Sequence, residues 1–254
     1  MKHTRTLSAV LLATAGISSV QGAVIGIDIR NGFAQGNNMG TGSDFDSFRA
    51  VIISMDHTIV PISSFDDLAG IDMLIMQNPY ESSDQFSSSE RASISSFVSN
   101  GMGMLAIADG GGRSSDYISN MNQISSGFGA TFSQDAGNRD GLVINNFASH
   151  AVTAGLNRVG LDFNRTISVS GSAIDLTGDD SDFLVVNNGV GGEGNSVFIG
   201  DSSLWVDSHT SSDYALYDLD NELLLRNIIN YTVPTPSTLA LFACCGLITR
   251  RRRN

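Results

Sequence analysis

Cysteine and lysine are almost absent from this chain of 254 residues. Its two cysteines, Cys244 and Cys245, both lie in an apolar run near the C-terminus, and its only lysine is Lys2. Before that apolar run, the sequence therefore excludes a disulfide framework, a zinc site built on thiolates and a cysteine nucleophile.

Positive charge is also scarce, and much of it lies at the two ends. Lys2, Arg5 and the run 250–253 supply six of the 14 basic residues, while all 26 acidic residues lie between the ends. Residues 23–231 thus hold eight arginines and a net charge of −18. Such a surface repels phosphate backbones, so we do not expect nucleic-acid binding.

The N-terminus has the pattern of a secretory signal peptide. Basic residues precede the apolar run 7–17, and small and polar residues follow it. We predict a signal peptide over residues 1–22, with signal peptidase cutting between Gly22 and Ala23. An ordinary buried first helix is the alternative, although a basic start before such a run is unusual for a domain core.

The C-terminus combines a proline step, an apolar run and an arginine cluster. The apolar run 239–248 spans about 15 Å as a helix, against a hydrocarbon core of about 30 Å. Arginines beyond it favour the cytoplasmic side of a membrane. The proline step is Pro234, Thr235 and Pro236, and the cluster is Arg250, Arg251, Arg252 and Arg253.

This order of elements resembles the PEP-CTERM sorting signal of Gram-negative bacteria, with Thr235 where the family usually has glutamate. The resemblance implies export, transient anchoring in the inner membrane and processing by an exosortase-type transpeptidase. It further implies delivery to the cell surface or to an extracellular polysaccharide matrix. A plain C-terminal anchor that is never cut is the alternative.

Between the two ends, residues 23–231 read as one domain, followed by the tail 232–254. Continuous apolar runs predict buried parallel strands at 23–29, 71–76, 103–108, 182–186 and 196–200. Helical patterns alternate with them at 43–55, 87–101, 114–128 and 221–231. We therefore predict an α/β three-layer sandwich with a mainly parallel central sheet. Residues 131–180 are less regular, and we expect an inserted hairpin or extra antiparallel strands there.

The body also resembles non-catalytic class I glutamine amidotransferase-like domains, which have a flavodoxin-like arrangement. The segments that carry this resemblance are FVSNGMGMLAIADGGG (97–112), FASHAVTAGL (147–156), VFIGDSSLW (197–205) and NELLLRNIINY (221–231). Catalytic members carry a cysteine on the turn after a central strand, and the matching turn 108–112 has none. The resemblance thus implies a domain without glutaminase chemistry, and no cofactor or catalytic residue is predicted.

A glycine-rich turn that leads into a predicted helix is the candidate ligand site. Backbone amides at such a turn hold carboxylate, sulfate or sugar oxygens. The candidate residues are Asp109, Gly110, Gly111, Gly112, Arg113, Ser114 and Ser115, together with His150 and Asp201, which could meet in the fold. A plain tight turn is the alternative for the loop. For His150, a helix-capping or hydrogen-bonded structural role is favoured over a ligand role. The histidine spacing predicts no metal site.

Two functions remain open at this stage. The first is an exported surface or matrix protein whose α/β domain binds a ligand or supports structure without catalysis. The alternative is a secreted hydrolase that acts on matrix carbohydrate through carboxylates or a metal, with Asp109, Asp201 and the histidines at its site.

Overall fold

A computed structural model describes residues 22–30, 38–79, 85–108, 115–134, 141–162, 164–178, 182–189, 191, 193–207 and 214–234. The strands are β1 (Val24–Asp28), β2 (Thr58–Ile62), β3 (Met73–Gln77), β4 (Gly103–Ile107), β5 (Ala130–Phe132), β6 (Leu142–Ile144), β7 (Val159–Leu161), β8 (Ile167–Val169), β9 (Ala173–Asp175), β10 (Leu184–Asn187) and β11 (Ser196–Ile199). The α-helices are α1 (Asp46–Ser54), α2 (Ser88–Ser99), α3 (Ser115–Ser125) and α4 (Asn221–Thr232).

The central sheet has seven strands in the order β2-β1-β3-β4-β11-β10-β9. The pairs β2-β1, β1-β3, β3-β4 and β4-β11 are parallel. We call the side where these five strands begin the amino edge and the side where they end the carboxyl edge. The chain leaves β1 for β2 on one side and returns to β3 on the other, so the sheet reverses its order between β1 and β3.

Alternate residues of each central strand feed two separate cores, because successive side chains of a strand point to opposite faces. Ile25, Ile75 and Leu105 pack on the face covered by α1 and α4. Leu74 and Met104 pack on the other face, against α2 and α3. The result is the three-layer α/β sandwich with a mainly parallel sheet that the apolar runs predict.

Helix α2 begins at the residue that its sequence pattern indicates. The hydroxyl of Ser87 accepts a hydrogen bond from the backbone N–H of Glu90, whose carboxylate accepts one from Ser87 N at 2.9 Å. This reciprocal pair is a capping box, which satisfies two donors that a helix start leaves open. Just beyond the helix, Gly101 has φ +94°, a left-handed conformation that glycine adopts without strain.

The predicted strand at 182–186 is a strand, but its predicted parallel direction is wrong. β10 runs antiparallel to β11, with Asn187 paired to Ser196. Only residues 188–195 join the two strands. A parallel crossover needs a dozen residues or more, so a connection of this length forms a hairpin.

The sequence patterns miss β2, which lies at one edge of the sheet. It contains Pro61, which lacks a backbone donor and is therefore confined to edge strands. Extra antiparallel strands within 131–180 are confirmed, since β5 pairs with β8 and β6 pairs with β7. Within the described ranges, no helix has both the length and the apolar character that crossing a bilayer requires.

Candidate functional site

Polar side chains are concentrated at the carboxyl edge of the sheet, where open α/β folds usually bind ligands. Asp28 ends β1, Gln77 ends β3, and Asn78 follows it. Asp201 and Ser202 come directly after β11 and Gly200. All five side chains are at most 3% exposed, which is unusual for polar residues and requires specific hydrogen bonding.

Arg30 connects β1 to the neighbouring helix layer beside the point where the sheet reverses its order. Its Nη1 donates to Glu90 at 2.7 Å, and its Nε lies 3.4 Å from a carboxylate oxygen of Asp28. The guanidinium carbon lies 4.9 Å from the ring centre of Phe65 and 5.3 Å from that of Phe86. Two carboxylates and two aromatic rings therefore hold one cation in place.

One nitrogen of this guanidinium has spare donor capacity. Nη2 of Arg30 is buried, and it has no hydrogen-bond acceptor among the described residues. A buried donor without a partner is unfavourable by about 1–3 kcal/mol, so its persistence needs an explanation. An oxygen atom of a bound ligand would provide one.

The carboxylate of Glu90 serves three neighbours at once. In addition to Arg30 and Ser87, it accepts a hydrogen bond from the backbone N–H of Phe65 at 3.2 Å. Burial by itself raises the pKa of Glu90, but the N–H groups of Ser87 and Phe65 and the charge of Arg30 outweigh it and lower the pKa below its usual value. Glu90 is therefore an ionised structural carboxylate.

Asp201, a predicted ligand residue, lies at the carboxyl edge as expected, but its carboxylate is engaged by the backbone. Oδ2 accepts a hydrogen bond from Asp162 N and Oδ1 accepts one from Ser203 N, both at 2.7 Å. Asp201 is fully buried. The hydrogen bond from Asp162 joins the segment after β7 to the segment after β11, so the carboxylate of Asp201 has a structural role.

The predicted glycine-rich turn begins at the same edge. Ala108 follows β4 and donates its N–H to Ile199 O at 2.9 Å, and α3 begins at Ser115. The candidate residues Asp109, Gly110, Gly111, Gly112, Arg113 and Ser114 lie outside the described residues. Of Ser115, the structure describes only the backbone.

The structure does not bring His150 and Asp201 together. Nδ1 of His150 accepts a hydrogen bond from Val152 N at 3.2 Å, and its Nε2 lies 3.4 Å from Oδ1 of Asn188, just beyond β10. Since β10 and β11 are antiparallel, this end of β10 lies at the amino edge, about 16 Å along β11 from Asp201.

His150 has the hydrogen-bonded structural role that the sequence favours for it. The hydroxyl of Tyr231 also donates to Oδ1 of Asn188, and the Tyr231 ring packs edge-on against the imidazole at 4.9 Å between centres. Both ring nitrogens are thus occupied. The same loop lines an open cavity of about 380 Å³ formed by residues 145–150 and 153–156.

Comparisons with known proteins were made by sequence and by structure. No protein-family model matches the chain, and the curated proteins include no sequence that matches it. The mmIFT52 N-terminal domain superposes with a TM-score of 0.66 at 14% identity, over 84% of this chain and 99% of that one. A ThuA-like protein from Bacteroides uniformis superposes with a TM-score of 0.55 at 11% identity, over 84% and 91% of the two chains.

The fold is shared with these proteins. Identities this low show the fold alone, and the predicted α/β fold class is confirmed. A GMP synthase protein from Thermoplasma acidophilum also matches, at 15% identity over 83% of this chain and 94% of that one. Its TM-score of 0.49 is too low to carry an argument.

The two ends of the described domain, which border the predicted processing points, lie at one edge of the sheet. Ala23 directly precedes β1, so Gly22 and Ala23 lie at the amino edge. The carbonyl of Tyr231, near the end of α4, accepts a hydrogen bond from Asn195 just before β11, which also lies at that edge. Pro234 is described, whereas Thr235, Pro236 and Arg250–Arg253 lie outside the described residues.

Sequence reasoning missed the cluster of Asp28, Arg30 and Glu90. A signal was present, because Asp28 and Arg30 interrupt and end the first apolar run, in a body with few arginines. Within the described ranges, no three His, Cys, Asp or Glu side chains converge as a metal site requires. His209 lies outside those ranges, and His57 lies at the amino edge just before β2.

Proposed function

We propose that this protein is exported and that its α/β domain acts at the cell surface or in the extracellular matrix as a non-catalytic binding module. The observation that carries the proposal is the common exit of the two chain ends at the amino edge. While a PEP-CTERM-like tail holds the chain at a membrane, that edge faces the bilayer. The carboxyl edge, with its buried polar side chains, then faces away from it.

The domain boundaries support cutting at both ends. The described secondary structure runs from Val24 to Thr232, so a cut after Gly22 and a second near Pro236 would remove no strand or helix residue of the domain. The predicted domain end at residue 231 differs by one residue from the end of α4, which is within the usual uncertainty of helix ends.

The state of the carboxylates supports binding rather than hydrolysis. The carboxylate of Asp201 accepts hydrogen bonds from two backbone N–H groups. The carboxylate of Glu90 caps the start of α2 and forms an ion pair with Arg30. A general acid must carry a proton at the working pH and release it, whereas hydrogen bonds to a carboxylate stabilise its ionised form. These two residues are therefore poorly suited to acid catalysis.

The local charge indicates the chemical class of ligand. Among the described residues, Asp28 and Glu90 already place two negative charges around Arg30. A phosphate or sulfate would add a third, so a neutral, hydroxyl-rich ligand is favoured at Nη2. Extracellular polysaccharide has this chemistry, and the class I amidotransferase-like resemblance without a cysteine on the turn agrees with a domain that binds without glutaminase activity.

The test is a fractionation experiment in the native host. Replacing Arg250, Arg251, Arg252 and Arg253 together by glutamine should keep the protein in the inner membrane with its tail uncut, as intact mass would show. The matched control replaces the same four residues by lysine and keeps their charge, so it separates a charge requirement from recognition of arginine. Delivery of the glutamine variant to the cell exterior at the wild-type level would refute the sorting role.

A separate measurement addresses binding. The purified protein is tested against a panel of neutral and acidic oligosaccharides, alone and as the Arg30→Lys variant, which keeps the charge but lacks Nη2. We expect a neutral glycan to bind the wild type and to bind the variant at least tenfold more weakly. Equal binding of both proteins would exclude Arg30 from the site.

A further inference from the structure

The backbone nitrogen of Ala23 is held by side chains from two other segments of the chain. Ala23 N donates to Nδ1 of His57 at 3.0 Å, and the next nitrogen, Val24 N, donates to Oδ2 of Asp72 at 2.8 Å. Ala23 itself is buried. The first residue after the predicted cut is therefore anchored by polar groups, although chain termini are usually poorly ordered.

The backbone around these contacts is closely packed. A Cβ atom on Gly22 would lie 1.5 Å from the carbonyl oxygen of Asp56, so Gly22 lies directly against that carbonyl. Asp56 itself has φ +65°, a left-handed conformation that aspartate tolerates better than most residues. A cut after Gly22 would free this space beside the carbonyl.

The same cut changes the chemistry of Ala23. Its amide N–H becomes an ammonium group with three donors and a positive charge. His57 remains available as an acceptor, because burial lowers its pKa, although Asp56 and Asp72 oppose the shift. The two carboxylates close enough to affect His57 are also the negative charges beside the new ammonium group.

We propose that Asp56, His57 and Asp72 form a binding site for the α-ammonium group of Ala23, so that removal of the signal peptide completes the amino edge of the sheet. The Nδ1 atom of His57 keeps its hydrogen bond. The additional N–H groups point into the space left by Gly22, where the carbonyl of Asp56 lies, and the carboxylates neutralise the charge. This inference rests on the proposed export and on the cut after Gly22.

The charges around the site set its pH dependence. The nearby carboxylates raise the pKa of the ammonium group in the folded state, so its stabilising effect is present below about pH 8 and is lost as the pH rises further. Because the pKa of His57 is lowered by folding, stability falls as the pH drops below about 6.5 and the imidazole gains a proton. The site should be most effective between these two values.

The composition of the chain makes this site directly measurable. Lys2 is the only lysine, so a protein that begins at Ala23 carries a single amine, its own N-terminus. An amine-specific acetylating reagent therefore modifies that group alone. An acetyl group also occupies the position of the Gly22 carbonyl, so it removes the charge without introducing a group that the site cannot hold.

The experiment uses residues 23–254 in mild detergent, with the N-terminus either free or acetylated. At pH 7 the free form should unfold at a temperature about 3 °C higher than the acetylated form, and the difference should disappear at pH 10. The acetylation rate against pH should give an apparent amine pKa above about 8 in the folded protein and a lower one in denaturant. Equal unfolding temperatures and equal amine pKa values would overturn the proposal.

Charge-removing variants identify the residues responsible. Asp72→Asn keeps an acceptor for Val24 N but should lower the amine pKa and reduce the difference between free and acetylated protein. The matched control is Asp67→Asn, which changes an exposed aspartate in the turn before Asp72. It should alter neither the amine pKa nor the difference between free and acetylated protein. If Asp72→Asn does not fold, Asp56→Asn tests the same charge, since asparagine tolerates the left-handed conformation.

The outcome is separable from that of the proposed function. N-terminal sequencing of protein from the native envelope tests whether the chain is cut after Gly22. The stability measurement uses a chain already prepared with Ala23 first, so it tests the ammonium site whether or not the host makes that cut.

Discussion

Replacing Glu90 by alanine should be among the most destabilising single changes in the described part of the domain. The substitution removes the acceptor of Phe65 N, half of the capping box with Ser87, and the closest counter-ion of Arg30. The side chains of Glu90 and Arg30 are 8% and 19% exposed, so water replaces these contacts poorly. Loss of one partner from a buried ion pair destabilises a protein by about 3–5 kcal/mol.

A second helix provides a matched control. Glu222 also lies in the first turn of its helix and also pairs with an arginine, Arg226, at 2.8 Å. The two side chains of that pair are 34% and 35% exposed, so Glu222→Ala should change stability by at most about 0.5 kcal/mol. For a domain of this size, the loss at Glu90 corresponds to a decrease in Tm of about 10 °C.

Urea denaturation followed by circular dichroism measures both variants, and the pH dependence provides an independent check. Because the pKa of Glu90 is lower in the folded protein, its contribution is present above about pH 4.3 and is lost as the pH falls through the folded-state value. Glu90→Ala should lack this loss. The reasoning fails if the Glu90 and Glu222 variants unfold within 0.5 kcal/mol of each other, on the order of a surface ion pair.

Two further substitutions test other parts of the structure. Asp201→Asn places an amide NH₂ group against the N–H of Asp162 or of Ser203, so it should destabilise the fold by about 2 kcal/mol. The control Asp66→Asn changes an exposed side chain and should be close to neutral. Equal stabilities of the two variants would contradict the structural role of Asp201. Gly103→Ala places a Cβ 2.1 Å from a backbone oxygen near the end of α4 and should destabilise by at least about 1–3 kcal/mol, as thermal unfolding would show. A Cβ atom added at Gly127 meets nothing within 4 Å, so Gly127→Ala should be tolerated, and a comparable loss there would contradict the steric cause assigned to Gly103.

Much of the fold was predictable because its signals are local. The apolar runs at 23–29, 71–76 and 103–108 predict strands buried on both faces, and all three form neighbouring parallel strands. The direction of β10 was not predictable from its composition, since buried parallel and antiparallel strands share the same apolar character. The length of the connection to β11 was the available signal.

The site was less predictable because it depends on contacts between distant segments. Arg30 meets Glu90 across 60 residues of sequence, and Phe65 N meets the same carboxylate across 25. Sequence spacing indicates that Glu90 caps a helix, but it does not reveal that the same carboxylate pairs with the arginine that follows β1. For Asp201 the position was predicted correctly but the role was not. It lies at the expected carboxyl edge, but its carboxylate accepts hydrogen bonds from backbone N–H groups.

The placement of the chain ends limits how the domain can sit while the tail is uncut. Four residues lie between Pro234, at the amino edge, and Leu239, where the apolar run begins, and this stretch spans at most about 17 Å when fully extended. This length is comparable to that of β11 with its flanking residues, so the amino edge must stay close to any membrane that holds the apolar run. A ligand that reaches Arg30 must then approach from the opposite side. Binding at the carboxyl edge is therefore compatible with both the anchored form and the released form that we propose.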